Sequence, residues 1–308
     1  MPIHDVGYRR WDWSVGQPWL RWMVIAGAGM RLVWKNHWLR RMLFFAWLPA
    51  AALGIGIFVY EQGFERHELR SAVPVLLEQL PQSETALAAF SADPSLARHE
   101  VWSLLLLTFF RYPQAVLMVL LVGMIAPPLI SQDFRSRAFL LYFSRPITPG
   151  EYIFGKAMVI WGYLAAVTTL PALVLYALGV LLSPSLSVVL YTWDIPFRIL
   201  VASAVLLIPT SSLALFFSSL TTESRYAGFA WFAVWGLGWA AYANLEALGL
   251  GRRWSMISLY HVLGHVQAWV FGLHANINDV TSAALLLVMV TVLPLLVLLV
   301  RVAAPMRV

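Results

Sequence analysis

Few side chains in this sequence have the types and spacing that catalysis or ligand binding requires, and the first candidate is a phosphate-binding loop. Residues 150–157, GEYIFGKA, match the pattern G-x-x-x-x-G-K-[ST] except at the last position. The alanine there lacks the hydroxyl that would bind Mg²⁺, no strand pattern precedes the loop, and an apolar run follows it. The sequence therefore predicts no nucleotide site and no catalytic residue in this chain.

Two histidines form the second candidate. His261 and His265 are four residues apart, so on a helix both imidazoles would face one side and could bind a metal ion or a haem. Only the more distant Asp279 could add a carboxylate, and the chain has no cysteine. Histidines that cap a helix turn or line a wet cavity explain the pattern better, because a metal site needs more ligands. A metal or haem site stays open as an alternative.

The composition excludes a soluble globular protein. Of the 308 residues, 60% are hydrophobic and 12% are charged, with a mean hydropathy of +0.74. In soluble domains about a quarter of the residues are charged. We therefore expect an all-α membrane protein. The net charge of +6 is interpreted as a sign of membrane topology rather than of nucleic-acid binding.

Six charge-free stretches are each close to the roughly 20 residues that cross a bilayer as a helix. They are 42–60, 114–131, 157–182, 199–220, 226–244 and 281–300. A seventh stretch, 254–278, is long enough to span but carries histidines, asparagines and glycines. We expect the outer segment 249–280 to form two short re-entrant helices that enter the membrane and return, which is allowed only where protein shields the turn.

The distribution of charge predicts the orientation. With six spans, both termini share one side with the 132–156 loop, and this side carries 14 basic and 5 acidic residues. The opposite side carries 7 basic and 10 acidic residues. The positive-inside rule therefore places both termini in the cytoplasm. The loop 61–112, rich in leucine and proline, is expected to form a small helical cap on the outer side.

The N-terminal segment, 1–41, ends in an amphipathic stretch. Residues 19–41 combine four tryptophans with five basic residues immediately before the first span. This pattern predicts an interfacial helix on the cytoplasmic leaflet, with its basic side chains toward anionic lipid. The alternative is an ordinary basic flank of the six-helix domain 42–308.

The cytoplasmic loop 132–156 has the clearest pattern. After Asp133, apolar residues recur at helical spacing and predict a short amphipathic helix over 134–143, with Arg135 and Arg137 off the apolar stripe. The stripe consists of Phe134, Ala138, Leu141 and Tyr142. A helix of this kind, parallel to the membrane, suits docking into a groove on a soluble partner.

The second half of the loop prepares the next span. Arg145 and Pro146 end the amphipathic helix, and Glu151 falls in the first turn of the following one, where its charge suits the helix dipole. Gly155 allows another helix to approach closely, and Lys156 places a positive charge at the start of the third span.

This loop resembles that of the permease subunits of type-2 ABC exporters. In that family the loop after the second span carries an acidic residue, a short coupling helix, a Ser-x-Pro-[IV]-[ST] turn and an aromatic or aliphatic run that ends in Gly-Lys. The matching parts here are Asp133, the helix 134–143, the turn 144–148 and the run 151–156. One departure is the sequence RAFL at 137–140, where many members have Gly-Thr-Leu-Glu.

The resemblance implies a non-enzymatic transport subunit of a bacterial inner membrane, which forms an export pathway or transmits mechanical motion. Two cytoplasmic ATPase subunits would bind ATP and Mg²⁺, so this chain itself would hold no cofactor. A second permease copy or a paralogue would complete the assembly, with membrane lipids and a periplasmic accessory protein as further partners. The favoured cargo is a lipid, a peptide or another amphipathic molecule.

The resemblance also assigns residues to ATPase coupling. They are Asp133, Phe134, Arg135, Arg137, Arg145, Pro146, Glu151, Gly155 and Lys156. A second contact would use Arg31, Lys35, Glu223 and Arg225. Glu223 and Arg225 could instead form a local ion pair at a turn. Two alternative functions stay open: a metal or haem protein that uses His261 and His265, and an anchor that recruits cytoplasmic partners through 19–41 and 132–156.

Overall fold

A computed structural model of the chain describes residues 20–63, 67–93, 97–138, 147–273 and 276–303, and the regular structure in these ranges is entirely helical. The first seven helices are α1 (Arg21–Trp34), α2 (His37–Phe45), α3 (Leu48–Gln62), α4 (His67–Glu78), α5 (Glu84–Ala92), α6 (Arg98–Arg111) and α7 (Pro113–Arg135). The following helices are α8 (Pro149–Val167), α9 (Thr169–Leu182), α10 (Val188–Thr192), α11 (Ile195–Leu220), α12 (Ser224–Ala247), a 3₁₀ helix (Gly251–Ile257), α13 (Leu259–Val270) and α14 (Ile277–Ala303).

Five helical stretches in the described residues are long and apolar enough to cross a membrane, so the chain is a multi-pass membrane protein. They are His37–Gln62, Arg98–Arg135, Pro149–Leu182, Val188–Leu220 and Ile277–Ala303. Each contains one of the six predicted spans. The remaining predicted span, 226–244, lies within α12 but is not one of the five. Tryptophan, tyrosine and glycine lower the mean hydropathy of this helix.

Contacts between helix termini define two ends of the bundle. At one end, which we call the Asp133 end, Arg301 of α14 donates a hydrogen bond to the carbonyl of Ser219 in α11 at 3.3 Å. Asp133 of α7 and Lys156 of α8 meet at the same end. Because α11 and α14 both finish here, the chain between them must first travel away, and α12 is the long helix that does so.

At the opposite end, which we call the Glu61 end, buried charged side chains link two helices. The carboxylate of Glu61 is fully buried. It accepts hydrogen bonds from Nε and from a terminal nitrogen of Arg98, at 2.9 and 3.0 Å. The indole nitrogen of Trp102 donates a third hydrogen bond at 3.1 Å. A buried carboxylate needs such partners, because unpaired burial of its charge is very costly. These bonds fasten α6 to α3.

His99, which follows Arg98 on α6, links this end to α11 and α13. His99 contacts Asp194 at 3.0 Å, and Asp194 also accepts from Nε of Arg198 at 2.6 Å. Arg198 in turn donates to the carbonyl of Val270 at 3.1 Å. Consecutive residues of α6 therefore hold α3 on one side and the termini of α11 and α13 on the other.

The segment 61–112, expected to be a helical cap, contains α4, α5 and α6. Apolar residues of α4 and α5, among them Leu77 and Ala86, join a core with Tyr60 and Trp102. Nearly all of residues 101–110 in α6 are buried, and α6 runs into α7 with only a short break. α6 is therefore part of the bundle rather than of a surface loop.

A serine of α11 hydrogen-bonds to α7 at a pair of prolines. Pro127 and Pro128 are consecutive in the middle of α7, and neither can donate a backbone hydrogen bond. The hydroxyl of Ser218 accepts from the backbone N–H groups of Ile130 and Ser131, both at 3.1 Å, and donates to the carbonyl of Pro127 at 2.7 Å. Ser218 thus hydrogen-bonds to the turn of α7 that contains and follows the two prolines, and these bonds fix the two helices against each other.

We expect Ser218→Ala to lower the free energy of unfolding by about 2 kcal/mol, because its hydroxyl's buried hydrogen bonds with Ile130, Ser131 and Pro127 of α7 are lost. Thermal unfolding of the purified protein in detergent measures the effect. Ser219→Ala is the matched control, since the Ser219 hydroxyl donates only to Phe216 in its own helix, at 2.7 Å. Equal losses from both substitutions would show that the bonds of Ser218 to α7 add no stability of their own.

Candidate functional site

The two ends of the predicted coupling loop meet in a buried cluster. Nζ of Lys156 lies 2.7 Å from Oδ2 of Asp133, and the hydroxyl of Tyr152 donates to the same oxygen at 2.7 Å. The side chains of Lys156 and Asp133 are only 8% and 15% exposed. The ammonium group also lies over the Tyr152 ring, 5.4 Å from its centre. We call these three residues the Asp133 cluster; it joins the last turns of α7 to the first turns of α8.

The start of α8 is set by a capping box. The side chain of Thr148 accepts from the N–H of Glu151 at 3.2 Å, and Glu151 accepts from the N–H of Thr148 at 2.8 Å. Pro149 occupies the first helical turn, where its missing donor costs nothing. The prediction that Glu151 lies in the first turn of a helix is confirmed. Its carboxylate caps the N-terminus of that helix.

The predicted amphipathic helix does not begin at residue 134. Phe134 and Arg135 are the last residues of α7, and Phe134 packs against the apolar core. Arg137 then adopts a left-handed conformation, with φ of 54°, and Ala138 N–H bonds to the carbonyl of Asp133. This is the Schellman arrangement that stops a helix, in which glycine is the usual residue. The rest of that helix, with Arg145 and Pro146, lies outside the described residues.

The N-terminal stretch forms two helices where a single interfacial helix was expected. α1 ends at Trp34, and the side chain of Asn36 caps the start of α2 by accepting from the N–H of Trp38 at 3.0 Å. α1 packs along the first half of α8. A Cβ at Gly155 would lie 2.9 Å from Cβ of Ile25, so the prediction that Gly155 permits close approach is confirmed.

A further hydrogen bond and a second close approach fix α1 in this position. The Tyr163 hydroxyl of α8 donates to the carbonyl of Met30 at 2.9 Å. A Cβ at Gly29 would lie 2.6 Å from a methyl group of Val159. On the same helix, Arg31 and its neighbour Lys35 are exposed to solvent. α1 is therefore attached to the helix that carries Lys156.

The acidic residue of the short link between α11 and α12 pairs across the bundle. Glu223 lies 3.3 Å from a terminal nitrogen of Arg135, the last residue of α7. The alternative of a local ion pair with Arg225 is not observed, because Glu223 pairs with Arg135 and Arg225 contacts the ring and hydroxyl of Tyr226. Arg135 and Glu223 are both exposed at least in part, so their pair contributes little stability. It does bring two predicted ATPase contacts together.

A cleft opens beside the Asp133 cluster. It has a volume of about 320 Å³ and separates α1 from α7. Apolar residues of both helices form its walls, and Asn36, Gln132, Asp133 and Lys156 add polar groups.

The segment 249–280 contains the two short helices that were expected there, the 3₁₀ helix and α13. The connection between them reaches the middle of the bundle. A Cβ at Gly238 of α12 would lie 3.3 Å from the carbonyl of Ile257. Leu259 shares a small cavity with Trp235 of α12 and Leu287 of α14, both well inside their helices. We call residues 249–273 the hairpin.

An arginine of α6 fills a notch in the hairpin. The guanidinium of Arg111 lies where a Cβ at Gly264 would be, with only 1.0 Å between that Cβ and a terminal nitrogen. It donates to the carbonyl of Tyr260 at 3.4 Å and lies 4.8 Å from the centre of the Tyr260 ring. Glycine is thus required at position 264 because the Arg111 side chain occupies the space of a Cβ, and not because of the backbone conformation there.

The two candidate metal ligands have other neighbours. His265 lies 3.2 Å from the hydroxyl of Ser255, and the ring of His261 stacks on Tyr242 with 3.7 Å between ring centres. Nδ1 of His261 is buried without a hydrogen-bond partner. Within the described ranges, no group of three histidine, aspartate or glutamate side chains is placed to hold a metal ion.

Comparisons with known proteins give no relative: no protein-family model, curated protein or solved structure matches the chain. Function must therefore be argued from the site.

Sequence reasoning missed several residues that organise the site. Tyr152 completes the Asp133 cluster, and Arg111 and Gly264 fix the hairpin. Ser218 had one available signal, the Pro127–Pro128 pair, which disturbs the backbone hydrogen bonding of α7 and favours polar partners from a neighbouring helix.

Proposed function

We propose that this chain is the permease subunit of a type-2 ABC exporter, driven by separate cytoplasmic ATPases that bind at the Asp133 end. The observation that carries the proposal is the Asp133 cluster. The acidic residue and the Gly-Lys pair that gave the family resemblance are far apart in the loop sequence, yet Asp133 and Lys156 form a buried ion pair. A loop whose two ends are joined in this way suits the transmission of force.

The contacts of α8 suggest how force would spread. A push on the loop between α7 and α8 would move both helices together, because the Asp133 cluster joins them. α1 would follow, since it is packed on α8 through Gly155 and Gly29. Closely packed helices move as units rather than deform, so a displacement at this end would reach the interior of the bundle.

The proposed topology has six crossings, with both termini in the cytoplasm. α12 is the additional span, the fifth in chain order: its 24 residues measure about 36 Å at 1.5 Å per residue, enough for a 30 Å hydrocarbon core. It leads from the Asp133 end to the hairpin, which then enters the membrane from the outer side. The excess of basic residues on the loops of the Asp133 end supports this orientation.

The nature of the cargo is proposed from the scarcity of charge in the spans. Each of the five candidate spans has an 18-residue window with at most two charged side chains. A lipid, a peptide or another amphipathic molecule therefore fits the proposed pathway better than an ion. The same architecture could instead transmit motion to a periplasmic partner.

The decisive experiment is purification of the tagged chain from its native membrane in mild detergent. Co-purification of an ATPase with vanadate-sensitive turnover is expected. Absence of any ATPase from a folded, detergent-stable preparation would overturn the proposal and favour the membrane anchor that recruits cytoplasmic partners.

We expect Arg135→Glu to reduce ATP turnover of the complex about tenfold or more, because it places a negative charge where the ATPase would meet a positive one. The substitution also breaks the pair with Glu223, so the charge swap Arg135→Glu with Glu223→Arg is the matched control. Turnover should stay low in the swap. Full recovery there would mean that Arg135 acts only through Glu223, against a direct ATPase contact.

A further inference from the structure

Three polar side chains beside α13 are buried without the partners that such groups normally have. The hydroxyl groups of Ser103 and Ser203 and the side-chain nitrogen of Gln267 have no hydrogen-bond partner within the described residues. All three residues are at most 4% exposed. Because nearly all buried polar groups in proteins are hydrogen-bonded, three such groups on neighbouring helices require an explanation.

A fourth group in the same region is a cation without an acid. Arg111 lies within the candidate span Arg98–Arg135 and is partly buried. In the part of the chain that the structure describes, no carboxylate forms an ion pair with it. Of the acids on neighbouring helices, Asp194 pairs with Arg198, and Glu246 interacts with the hydroxyl of Tyr242. An ionisable side chain at membrane depth indicates a functional site.

The face of α13 that carries Gln267 also holds Arg111. Tyr260, Gly264 and Gln267 recur at i, i+4 and i+7, so they share one face of the helix. The guanidinium of Arg111 occupies the place of a Cβ at Gly264. Cβ atoms three residues apart on a helix are about 5 to 6 Å from each other, so the guanidinium lies beside Gln267.

Ser203 of α11 lies at the level of Gln267. At the Glu61 end, Arg198 donates to the carbonyl of the last residue of α13. Further along α11, Thr210 shares a cavity with Leu263 of α13. The two helices are therefore antiparallel, and Ser203 and Gln267 both lie between these contacts. Ser203 and Thr210 are seven residues apart, about two helical turns, so Ser203 is on the side of α11 that faces α13.

Ser103 of α6 faces the same two helices. His99, Ser103, Leu107 and Arg111 follow one another at intervals of four residues. This row begins where His99 contacts the start of α11 and ends where Arg111 meets Gly264 of α13. Because residues four apart lie on one side of a helix, Ser103 points toward the space between α11 and α13.

These four residues line one seam between α6, α11 and α13, which we call the polar seam: Ser103, Ser203, Gln267 and Arg111. The polar seam leads from the Glu61 end into the bundle. Arg111, at its inner end, is 13 residues from Arg98, or about 20 Å at 1.5 Å per residue.

A cavity at the Glu61 end adjoins the outer part of the polar seam. It has a volume of about 590 Å³, and Asp194, Arg198 and Gly272 supply its polar groups and backbone. Its other residues include the exposed aromatic side chains Trp193, Phe197 and Trp269. Because Arg198 both lines this cavity and holds the end of α13, a displacement of the hairpin would open the cavity into the polar seam.

The groups in the polar seam are mainly hydrogen-bond donors. Guanidinium and amide N–H groups can only donate, and serine hydroxyls can donate as well. Together with the positive charge of Arg111, they favour a ligand that accepts hydrogen bonds and is negatively charged. We infer that the polar seam binds the anionic head group, a phosphate or a carboxylate, of the amphipathic cargo. The word cargo rests on the proposed function; the anion site rests on the polar seam alone.

Cysteine reactivity tests whether anions reach the polar seam. The chain has no cysteine, so Ser203→Cys and Gln267→Cys each place a single thiol there. The anionic reagent sulfonatoethyl methanethiosulfonate is applied to each variant in nanodiscs of zwitterionic lipid, and labelling is followed by mass spectrometry. Ala202→Cys and Ala268→Cys are the matched controls at adjacent buried residues. We expect the thiols of the polar seam to react about tenfold faster than the controls. Equal rates would overturn the inference.

A cationic reagent of similar size, trimethylammonioethyl methanethiosulfonate, tests the charge. Each rate is divided by the rate at Leu186→Cys, an exposed residue between α9 and α10. The ratio of anionic to cationic labelling at Ser203→Cys should then exceed 1 by about tenfold, because a positive site concentrates anions. Arg111→Lys should keep this preference, and Arg111→Gln should remove it. A preference that is absent, or that survives Arg111→Gln, would refute an anion site. Labelling of Ala202→Cys in the Arg111→Gln background checks that the hairpin stays in place.

Protection by short amphipathic molecules tests the head group. Hexyl phosphate, hexanoate and hexyl glucoside carry the same alkyl chain and differ in charge. Both anions should lower the labelling rate of Gln267→Cys in proportion to the fraction bound, and the one that acts at the lower concentration identifies the head group as phosphate or carboxylate. Equal protection by the neutral glucoside would contradict recognition of charge.

These measurements use the chain alone and need no ATPase. Failure of the labelling pattern would leave the permease proposal standing, and absence of an ATPase would leave the anion site standing.

Discussion

Replacing Lys156 by methionine should destabilise the protein by about 3 to 5 kcal/mol, because it leaves the carboxylate of Asp133 largely buried without its cation. The methionine keeps the apolar stem, so packing against the Tyr152 ring is largely retained. The Tyr152 hydroxyl alone would then face the charge. Thermal or denaturant unfolding in detergent measures the loss.

The matched control is Lys35→Met, at the exposed lysine that directly follows α1. It removes the same charge and should change the unfolding free energy by less than about 0.5 kcal/mol. The double substitution Asp133→Asn with Lys156→Met removes both charges and should recover much of the loss, since the cost comes from the unpaired partner. Additive effects of the two substitutions would show that the Asp133 cluster is not a coupled unit.

If the proposed function holds, Lys156→Met should also uncouple the ATPase. The Asp133 cluster joins α7 and α8, so without it a push on one helix would no longer move the other. The ATPase should remain bound to the variant while cargo-stimulated turnover falls. Normal stimulation in a folded variant would contradict the assigned role of the cluster.

The second large effect is expected at the hairpin. Gly264→Ala should cost about 3 kcal/mol, because the new Cβ would occupy the place of the Arg111 guanidinium. Arg111 would lose both its hydrogen bond to the Tyr260 carbonyl and its contact with the ring. Unfolding in detergent, together with protease accessibility of residues 249–273, reports the displacement.

Two comparisons make this prediction specific. Gly236→Ala in α12 adds the same methyl group where nothing lies within 4 Å, and it should be neutral or slightly stabilising. In an Arg111→Ala background, the added cost of Gly264→Ala should disappear, because the steric conflict is gone. A persistent cost in that background would mean that the glycine is needed for another reason.

The sequence was sufficient for the apolar architecture but not for the ends of the spans. The charge-free stretches located every long helix. They nevertheless placed the start of the second span at residue 114, because Arg111 precedes it. The structure continues through α6, since Arg111 is accommodated against Gly264 of the hairpin. That partner lies about 150 residues away in the sequence, and no local pattern links the two.

The candidate site shows the same division between local and distant information. The positions of Glu151 and Gly155 followed from helix chemistry and were correct. Glu61 and Arg98 counted as charges of an outer loop, whereas they form a buried pair that fastens α6 to α3. Periodicity predicted a helix continuing past Arg137, but the chain stops α7 there with an arginine in the left-handed conformation.

The position of the hairpin also constrains how the protein is made. The ribosome delivers the chain from its N-terminus, so residues 249–273 leave it before α14, whose Leu287 and Val290 cover Leu259. In the proposed topology the hairpin enters the membrane, so until the last helix arrives its turn has no protein on that side, and lipid cannot satisfy its backbone groups. Insertion of the hairpin is therefore a late step in biogenesis.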